Sequence, residues 1–106
     1  MSSKQAIVQF SYPNSAASTF NLEYYLNTHM PLVDKHWGSH GMLNWTVTKG
    51  EEGTDYFVQV TIFWESLEAF EKVKSSEKVM GDVKNFSNVT PSVRVGVVVG
   101  QGGNLK

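Results

Sequence analysis

Six segments of the 106-residue chain carry regular hydrophobic patterns, and their order predicts an α+β fold. Four segments alternate apolar and polar residues with the period of a β-strand, and two repeat apolar residues with the period of a helix. The order β-α-β-β-α-β is the split βαβ arrangement of ferredoxin-like folds. We therefore expect a four-stranded antiparallel sheet that carries its helices on one face and leaves the other face open.

The four predicted strands are residues 5–12, 42–48, 55–64 and 92–99. The third is the clearest, because its side chains divide into one wholly apolar face and one mixed face. Each strand has an apolar face that we expect to lie under the helices. These faces carry Ala6, Val8, Phe10 and Tyr12, then Leu43, Trp45 and Val47, then Tyr56, Val58, Val60, Ile62 and Trp64, and finally Val93, Val95, Val97 and Val99.

The first helical segment, residues 20–41, contains all three histidines of the chain. Pro31 interrupts it, because proline has no N–H and its ring clashes with the carbonyl four residues back. We expect the helix to end or kink near His29–Met30 and to restart beyond the proline. The second helical segment begins after the N-cap Ser66 and continues in a short helical piece from about residue 76. On the first helix an apolar stripe forms from Leu22, Tyr25, Leu26, His29, Val33, His36 and His40.

Composition indicates one folded domain, residues 1–106, and excludes several classes of function. Hydrophobic residues at 41% and charged residues at 18% are ordinary for a globular protein. A net charge of −1 with nine scattered lysines and arginines gives no basic patch for nucleic acid. The absence of cysteine excludes disulfides and thiol chemistry. No apolar run is long enough for a membrane span or a signal peptide, so we expect a cytoplasmic protein whose residues 100–106 form a flexible tail.

An aromatic pattern within the first helix resembles the signature of a known family. The pattern F-x-x-x-Y-Y/W-x-x-x-H-x-P-L is matched by Phe20, Tyr24, Tyr25, His29, Pro31 and Leu32. It is similar to the signature of the EthD family, named for a protein of ethyl tert-butyl ether degradation. That family belongs to the dimeric α+β barrels, which include cofactor-free quinone-forming monooxygenases, muconolactone isomerase and haem-binding peroxidases. With the predicted topology, the resemblance covers nearly the whole chain and implies a homodimer whose two sheets close into a barrel.

The open face of the sheet independently predicts a partner. It is too apolar to be left to water and too polar for an ordinary core, so we expect a second copy to pack against it. Its residues are Ile7, Gln9, Ser11, Asn44, Thr46, Phe57, Gln59, Thr61, Phe63, Arg94 and Val98.

His29 is the predicted functional centre, as a general acid or base beside a pocket. Tyr12 or Tyr25 would donate a hydrogen bond to a developing oxyanion. The predicted substrate-binding residues are Phe10, Trp37, His40, Trp45, Trp64 and Phe86. Two alternatives for His29 stay open, namely a structural histidine in the core and a metal ligand. No carboxylate or thiol completes a recognisable ligand set with the three histidines, so we expect neither a metal nor another cofactor.

An excess of aromatic residues around one histidine predicts a site for a hydrophobic, aromatic or conjugated small molecule. A cofactor-free enzyme would catalyse isomerisation, cyclisation, condensation or decarboxylation of that molecule. The resemblance implies a role in pigment or polyketide biosynthesis, or in xenobiotic degradation. A non-catalytic carrier is the alternative, and haem binding through His29, His36 or His40 is a third possibility that depends on superfamily analogy alone.

Overall fold

The computed structural model describes residues 4–103 and has the predicted α+β architecture. Its strands form one antiparallel sheet in the order β2-β3-β1-β4, and its helices follow β1 and β3. No described helix is long and apolar enough to cross a membrane. The elements are β1 (Ala6–Tyr12), α1 (Leu22–Tyr24), a π-helical turn (Tyr25–His29), α2 (Met30–Trp37), β2 (Met42–Lys49), β3 (Val58–Trp64), α3 (Leu67–Val73), α4 (Glu77–Met80) and β4 (Ser92–Val97), with short 3-10 turns at Asn14–Ala16, Gly38–His40 and Val83–Asn85.

The two central strands, β1 and β3, alternate between buried and half-buried residues, as the sequence predicted. Phe10 lies opposite Val60, and both are buried on the helix side. On the open face, Gln9 lies opposite Thr61, and its side-chain amide donates to the Thr61 hydroxyl over 3.2 Å. Helices therefore cover one face of these strands only.

The expected break at Pro31 does not occur, and a π-helical turn takes its place. The Met30 N–H donates to the carbonyl of Tyr25, five residues back. Pro31 then falls in the first turn of α2, where a missing N–H leaves no hydrogen bond unmade. The wider turn holds one extra residue, so both His29 and Met30 are buried while Leu26 is 40% exposed. Leu26 was predicted to lie on the apolar stripe that faces the core, and this prediction is wrong.

The start of the third strand also differs from the prediction. β3 begins at Val58 rather than at residue 55, so Tyr56 and Phe57 do not take the faces that strict alternation assigned to them. The Tyr56 hydroxyl bonds to Thr48 over 3.1 Å, whereas the Phe57 ring packs on Phe20 with centroids 5.6 Å apart. Phe57 therefore belongs with the core rather than with the open face. In β2, a bulge between Met42 and Asn44 leaves Leu43 half exposed instead of buried.

The valines of β4 face the predicted side but are not covered there. Val95 lies opposite the fully buried Val8, yet it is 48% exposed. Val93 and Val97 are about equally exposed, because β4 is an edge strand that the helices do not reach. Val99 lies beyond the end of β4. The last three residues of the predicted tail, 104–106, are outside the described residues.

Candidate functional site

A small cavity lies between the sheet and the helices, and His29 forms part of its wall. Its volume is about 20 Å³, the space of roughly one water molecule. β1, β3 and the helix from Tyr25 to Trp37 form one wall, and residues 79–83 form the other. The lining residues are Phe10, Tyr12, Tyr25, His29, Met30, Val33, Trp37, Val60, Ile62, Val79, Met80 and Val83.

The imidazole of His29 is held by a carboxylate that lies far away in the sequence. His29 Nδ1 is 2.9 Å from Oδ2 of Asp82, which follows it by 53 residues. Both side chains are nearly enclosed, with 7% and 11% of their surfaces exposed. None of the side-chain hydrogen bonds among residues 4–103 involves Nε2 of His29. One ring nitrogen is thus anchored, and the other is free for a ligand.

Asp82 receives two further hydrogen bonds on its other oxygen. The Tyr24 hydroxyl donates to Oδ1 over 2.8 Å, and the Asn85 side-chain amide donates over 2.9 Å. Burial raises the pKa of Asp82, but the hydrogen bonds from Asn85, His29 and Tyr24 outweigh it and hold the pKa below its ordinary value. Asp82 is therefore ionised at neutral pH and can only accept hydrogen bonds. The hydrogen of neutral His29 must lie on Nδ1, which leaves a lone pair on Nε2.

Burial controls the charge of His29 itself. Desolvation lowers the pKa of His29, and the hydrogen bond and charge of Asp82 restore only part of that loss. The imidazole is therefore neutral near pH 7 and available to accept a proton. A proton taken up on Nε2 would produce an imidazolium whose Nδ1–H already points at a carboxylate.

Aromatic rings fix the plane of the imidazole. The Tyr25 ring stacks on His29 with an interplanar angle of 13° and centroids 5.4 Å apart. The Phe86 ring lies 4.6 Å from the imidazole. Phe86 is held in turn by its backbone, because its carbonyl accepts from the Asn21 N–H over 2.8 Å. The ring of His29 thus has little freedom to rotate away from Asp82.

The two predicted tyrosines line the cavity together with His29. Burial raises the pKa of the Tyr12 phenol. Burial, with a smaller contribution from Tyr12, also raises the pKa of Tyr25. Both phenols therefore keep their protons throughout the physiological range and can serve as hydrogen-bond donors.

Three predicted substrate-binding residues do not line this cavity. His40 is exposed on the turn Gly38–His40. The indole N–H of Trp45 donates to Asp34 over 2.8 Å, which holds that side chain outside the cavity. Trp64 is completely buried behind Trp37. Phe10 and Trp37 do line the cavity, and Phe86 lies behind His29.

Sequence reasoning missed Asp82 and its donors Tyr24 and Asn85. A signal for Asp82 was present, because spacings of three and four residues place it on the same helical face as Val79 and Phe86. A carboxylate on an apolar stripe needs a partner, and His29 is that partner. Within residues 4–103, no group of three histidine or acidic side chains could hold a metal ion.

Comparison with known proteins shows the fold. Neither a protein-family profile nor a curated protein matches the sequence. An EthD-like protein from Ralstonia eutropha JMP134 has a TM-score of 0.81 and 24% sequence identity, and the match covers 94% of this chain and 96% of that one. An ethyl tert-butyl ether degradation (EthD) family protein from Bacillus halodurans C-125 has a TM-score of 0.66 and 16% identity, with 91% and 99% coverage.

SnoaB, a cofactor-independent oxygenase from Streptomyces nogalater, is a more distant structural match. Its TM-score is 0.60 with 12% identity, and the match covers 95% of this chain and 97% of that one. The chain therefore has the α+β fold of EthD-like proteins, as the aromatic pattern of its first helix predicted.

Proposed function

We propose that this protein is a cofactor-free acid/base enzyme that acts on a hydrophobic aromatic or conjugated small molecule. The observation that carries the proposal is the buried His29–Asp82 pair at the wall of an aromatic cavity. A free Nε2 on a neutral, oriented imidazole is the arrangement a general base needs. The structural similarity to a cofactor-independent oxygenase supports chemistry without a cofactor.

The proposed step is a proton transfer. Nε2 of His29 removes a proton from a carbon next to a carbonyl of the substrate. The electron pair of that C–H bond forms a C=C bond, and the π electrons of the carbonyl move onto its oxygen. Tyr12 or Tyr25 donates a hydrogen bond to that oxygen. The imidazolium, stabilised by Asp82, then returns the proton to a different atom. Isomerisation and cyclisation need only this exchange, and condensation or decarboxylation would use the same enolate-like intermediate.

Substrate access requires the wall formed by residues 79–83 to move. Small-molecule pockets usually enclose about 300–1,000 Å³, and the cavity is far smaller. An open groove of about 470 Å³ lies on the outside of the same segment. Met80 and Val83 line both the groove and the cavity. A shift of these two side chains would join the two spaces and admit a ligand beside His29.

The site itself favours an enzyme over a non-catalytic carrier. A carrier gains affinity from the aromatic walls but has no use for an ionised carboxylate that orients a histidine. Burying such a pair costs free energy that apolar side chains would not cost. Roles in pigment or polyketide biosynthesis or in xenobiotic degradation, and a cytoplasmic location, are part of the same proposal through the resemblance to EthD proteins.

A homodimer through the open face is also part of the proposal. The face carries half-buried Ile7 and Phe63 beside the Gln9–Thr61 hydrogen bond. Such a mixed surface fits a second copy better than it fits water. We expect a dimer mass in sedimentation at micromolar concentration. Thr61→Glu should give a monomer, since it would bury a charge against the partner. A monomer mass for the wild-type protein would contradict the dimer.

The test of the enzyme proposal is exchange of a proton with solvent. The molecule that copurifies with the protein is extracted, identified by mass spectrometry and incubated with fresh protein in D₂O. The wild-type protein should incorporate deuterium into it, and His29→Gln should lower the rate about 10²–10⁴-fold. His40→Gln, on an exposed turn, is the matched control and should behave as wild type. Equal deuterium exchange by His29→Gln and wild type would contradict the role of His29 as a base and would favour a non-catalytic carrier.

A further inference from the structure

The indole N–H of Trp37 is enclosed in the protein and has no hydrogen-bond acceptor among the described residues. Trp37 is 1% exposed, so water does not reach it from the surface. A buried donor that is left unpaired destabilises the folded protein. Native proteins therefore pair such groups, with few exceptions, and an exception calls for a physical explanation.

The ring neighbours of Trp37 cannot supply an acceptor. Its centroid lies 6.4 Å from Phe10, 5.6 Å from Trp64 and 6.2 Å from Phe70. None of these side chains carries an acceptor oxygen or nitrogen. However, Trp37 lines the cavity that also contains His29. The indole nitrogen itself has almost no accessible surface in the present cavity. A ligand can therefore provide the missing acceptor only in the enlarged cavity that substrate entry already requires.

We propose that Trp37 Nε1–H donates a hydrogen bond to an oxygen of the bound small molecule. This inference depends on the proposed function, because it takes the cavity as the ligand site, and it narrows the class of ligand. Trp37 follows His29 by about two helical turns. The ligand is thus an aromatic carbonyl compound or phenol, with the recognised oxygen at the end remote from the proton that His29 removes.

Trp64 provides an internal control for this argument. Its indole N–H is likewise buried without a partner, but its side chain does not line the cavity. The fold therefore tolerates one such group without any ligand. Trp37 differs from Trp64 because it lies at the cavity wall. A comparison of the two residues therefore distinguishes a donor that binds a ligand from a donor that core packing alone leaves unpaired.

The experiment compares two probes with one skeleton, 1-indanone, which has a carbonyl oxygen, and indane, which lacks it. The chain has three tryptophans and gives three indole signals in a ¹H–¹⁵N spectrum. Trp37→Phe and Trp64→Phe assign the two buried ones. A neutral hydrogen bond should make 1-indanone bind about 2- to 12-fold tighter than indane. The Trp37 signal should move downfield with 1-indanone only, and the Trp64 signal should stay in place.

The variants complete the test. Trp37→Phe should abolish the preference for 1-indanone, whereas Trp64→Phe should keep it. Equal binding of the two probes, or an unmoved Trp37 signal when 1-indanone is bound, would overturn the role of Trp37 and leave the apolar ligand site standing. Binding of neither probe at millimolar concentration would overturn the ligand site as well. If Trp37→Phe fails to fold, Trp64→Phe and Trp45→Phe assign the Trp37 signal by elimination, and the wild-type spectra with the two probes then decide.

Discussion

The two walls of the cavity are built in different ways. The first wall consists of β1, β3 and the helix from Tyr25 to Trp37, and its side chains are fixed by the sheet ladder and by dense aromatic packing. The second wall is the segment Val79–Val83, which joins the four-residue helix α4 to a three-residue 3-10 turn. The first wall contains His29, the proposed base. The second wall contains Asp82, the carboxylate that orients the imidazole of His29.

Under the proposed function, this division couples the entry of a ligand to the orientation of His29 by Asp82. A movement of the second wall that admits a ligand would also move Asp82 away from His29, because Asp82 belongs to the segment that moves. Closure over the ligand rebuilds the hydrogen bond to Nδ1. The base would therefore be fully oriented only when the cavity is closed and water is excluded.

Hydrogen exchange measures the contrast between the walls directly. We expect the backbone amides of β1 and β3 to exchange at least about 10³-fold more slowly than those of Met80, Gly81 and Asp82, after correction for intrinsic rates. The strand amides are bonded on both sides of β1, whereas the amides of the segment are bonded only within its own short turns. Equal protection of both sets would show that the second wall is rigid.

Asp82→Asn tests whether the second wall contributes to the chemistry. The substitution keeps the size of the side chain but removes the charge that holds hydrogen on Nδ1. We expect turnover to fall about 10- to 100-fold, the range found when a carboxylate that orients a metal-bound histidine is removed. Glu77→Gln, on the exposed side of α4, should have no effect.

The pH dependence of the Asp82→Asn variant has a defined sign. The carboxylate raises the pKa of His29 against the effect of burial, so its removal should lower that pKa further. Since the base must be neutral, the acid limb of the pH–rate profile should lie below the ordinary histidine range in wild type. In the variant it should move to still lower pH. A shift to higher pH would show that Asp82 does not act on His29 in this way.

The same contrast explains which features could be predicted from the sequence. The alternation of Val58, Val60 and Ile62, and the placement of His29 and Tyr25 on a buried face, follow from local periodicity. The π-helical turn does not, because it depends on how Pro31 is accommodated within a packed helix. Asp82 was missed because its role depends on a contact across 53 residues between a helix and a short turn.

The position of His40 also could not be predicted from periodicity. It fits the stripe of an ideal helix, but the extra residue in the π-helical turn and the 3-10 turn at Gly38–His40 rotate it into solvent. Trp45 is a second example, because its indole N–H donates to Asp34 and its side chain does not line the cavity. Periodicity thus assigns a face to each residue but cannot show which polar atoms are already paired.

The tautomer of His29 is the most direct test of the central claim that Asp82 orients the base. Long-range ¹H–¹⁵N spectra at neutral pH distinguish a ring nitrogen that carries hydrogen from one that does not. For the wild-type protein we predict hydrogen on Nδ1 and a free lone pair on Nε2, and for Asp82→Asn a shift of the population towards hydrogen on Nε2. A wild-type His29 with its hydrogen on Nε2, or a tautomer that Asp82→Asn leaves unchanged, would contradict the account.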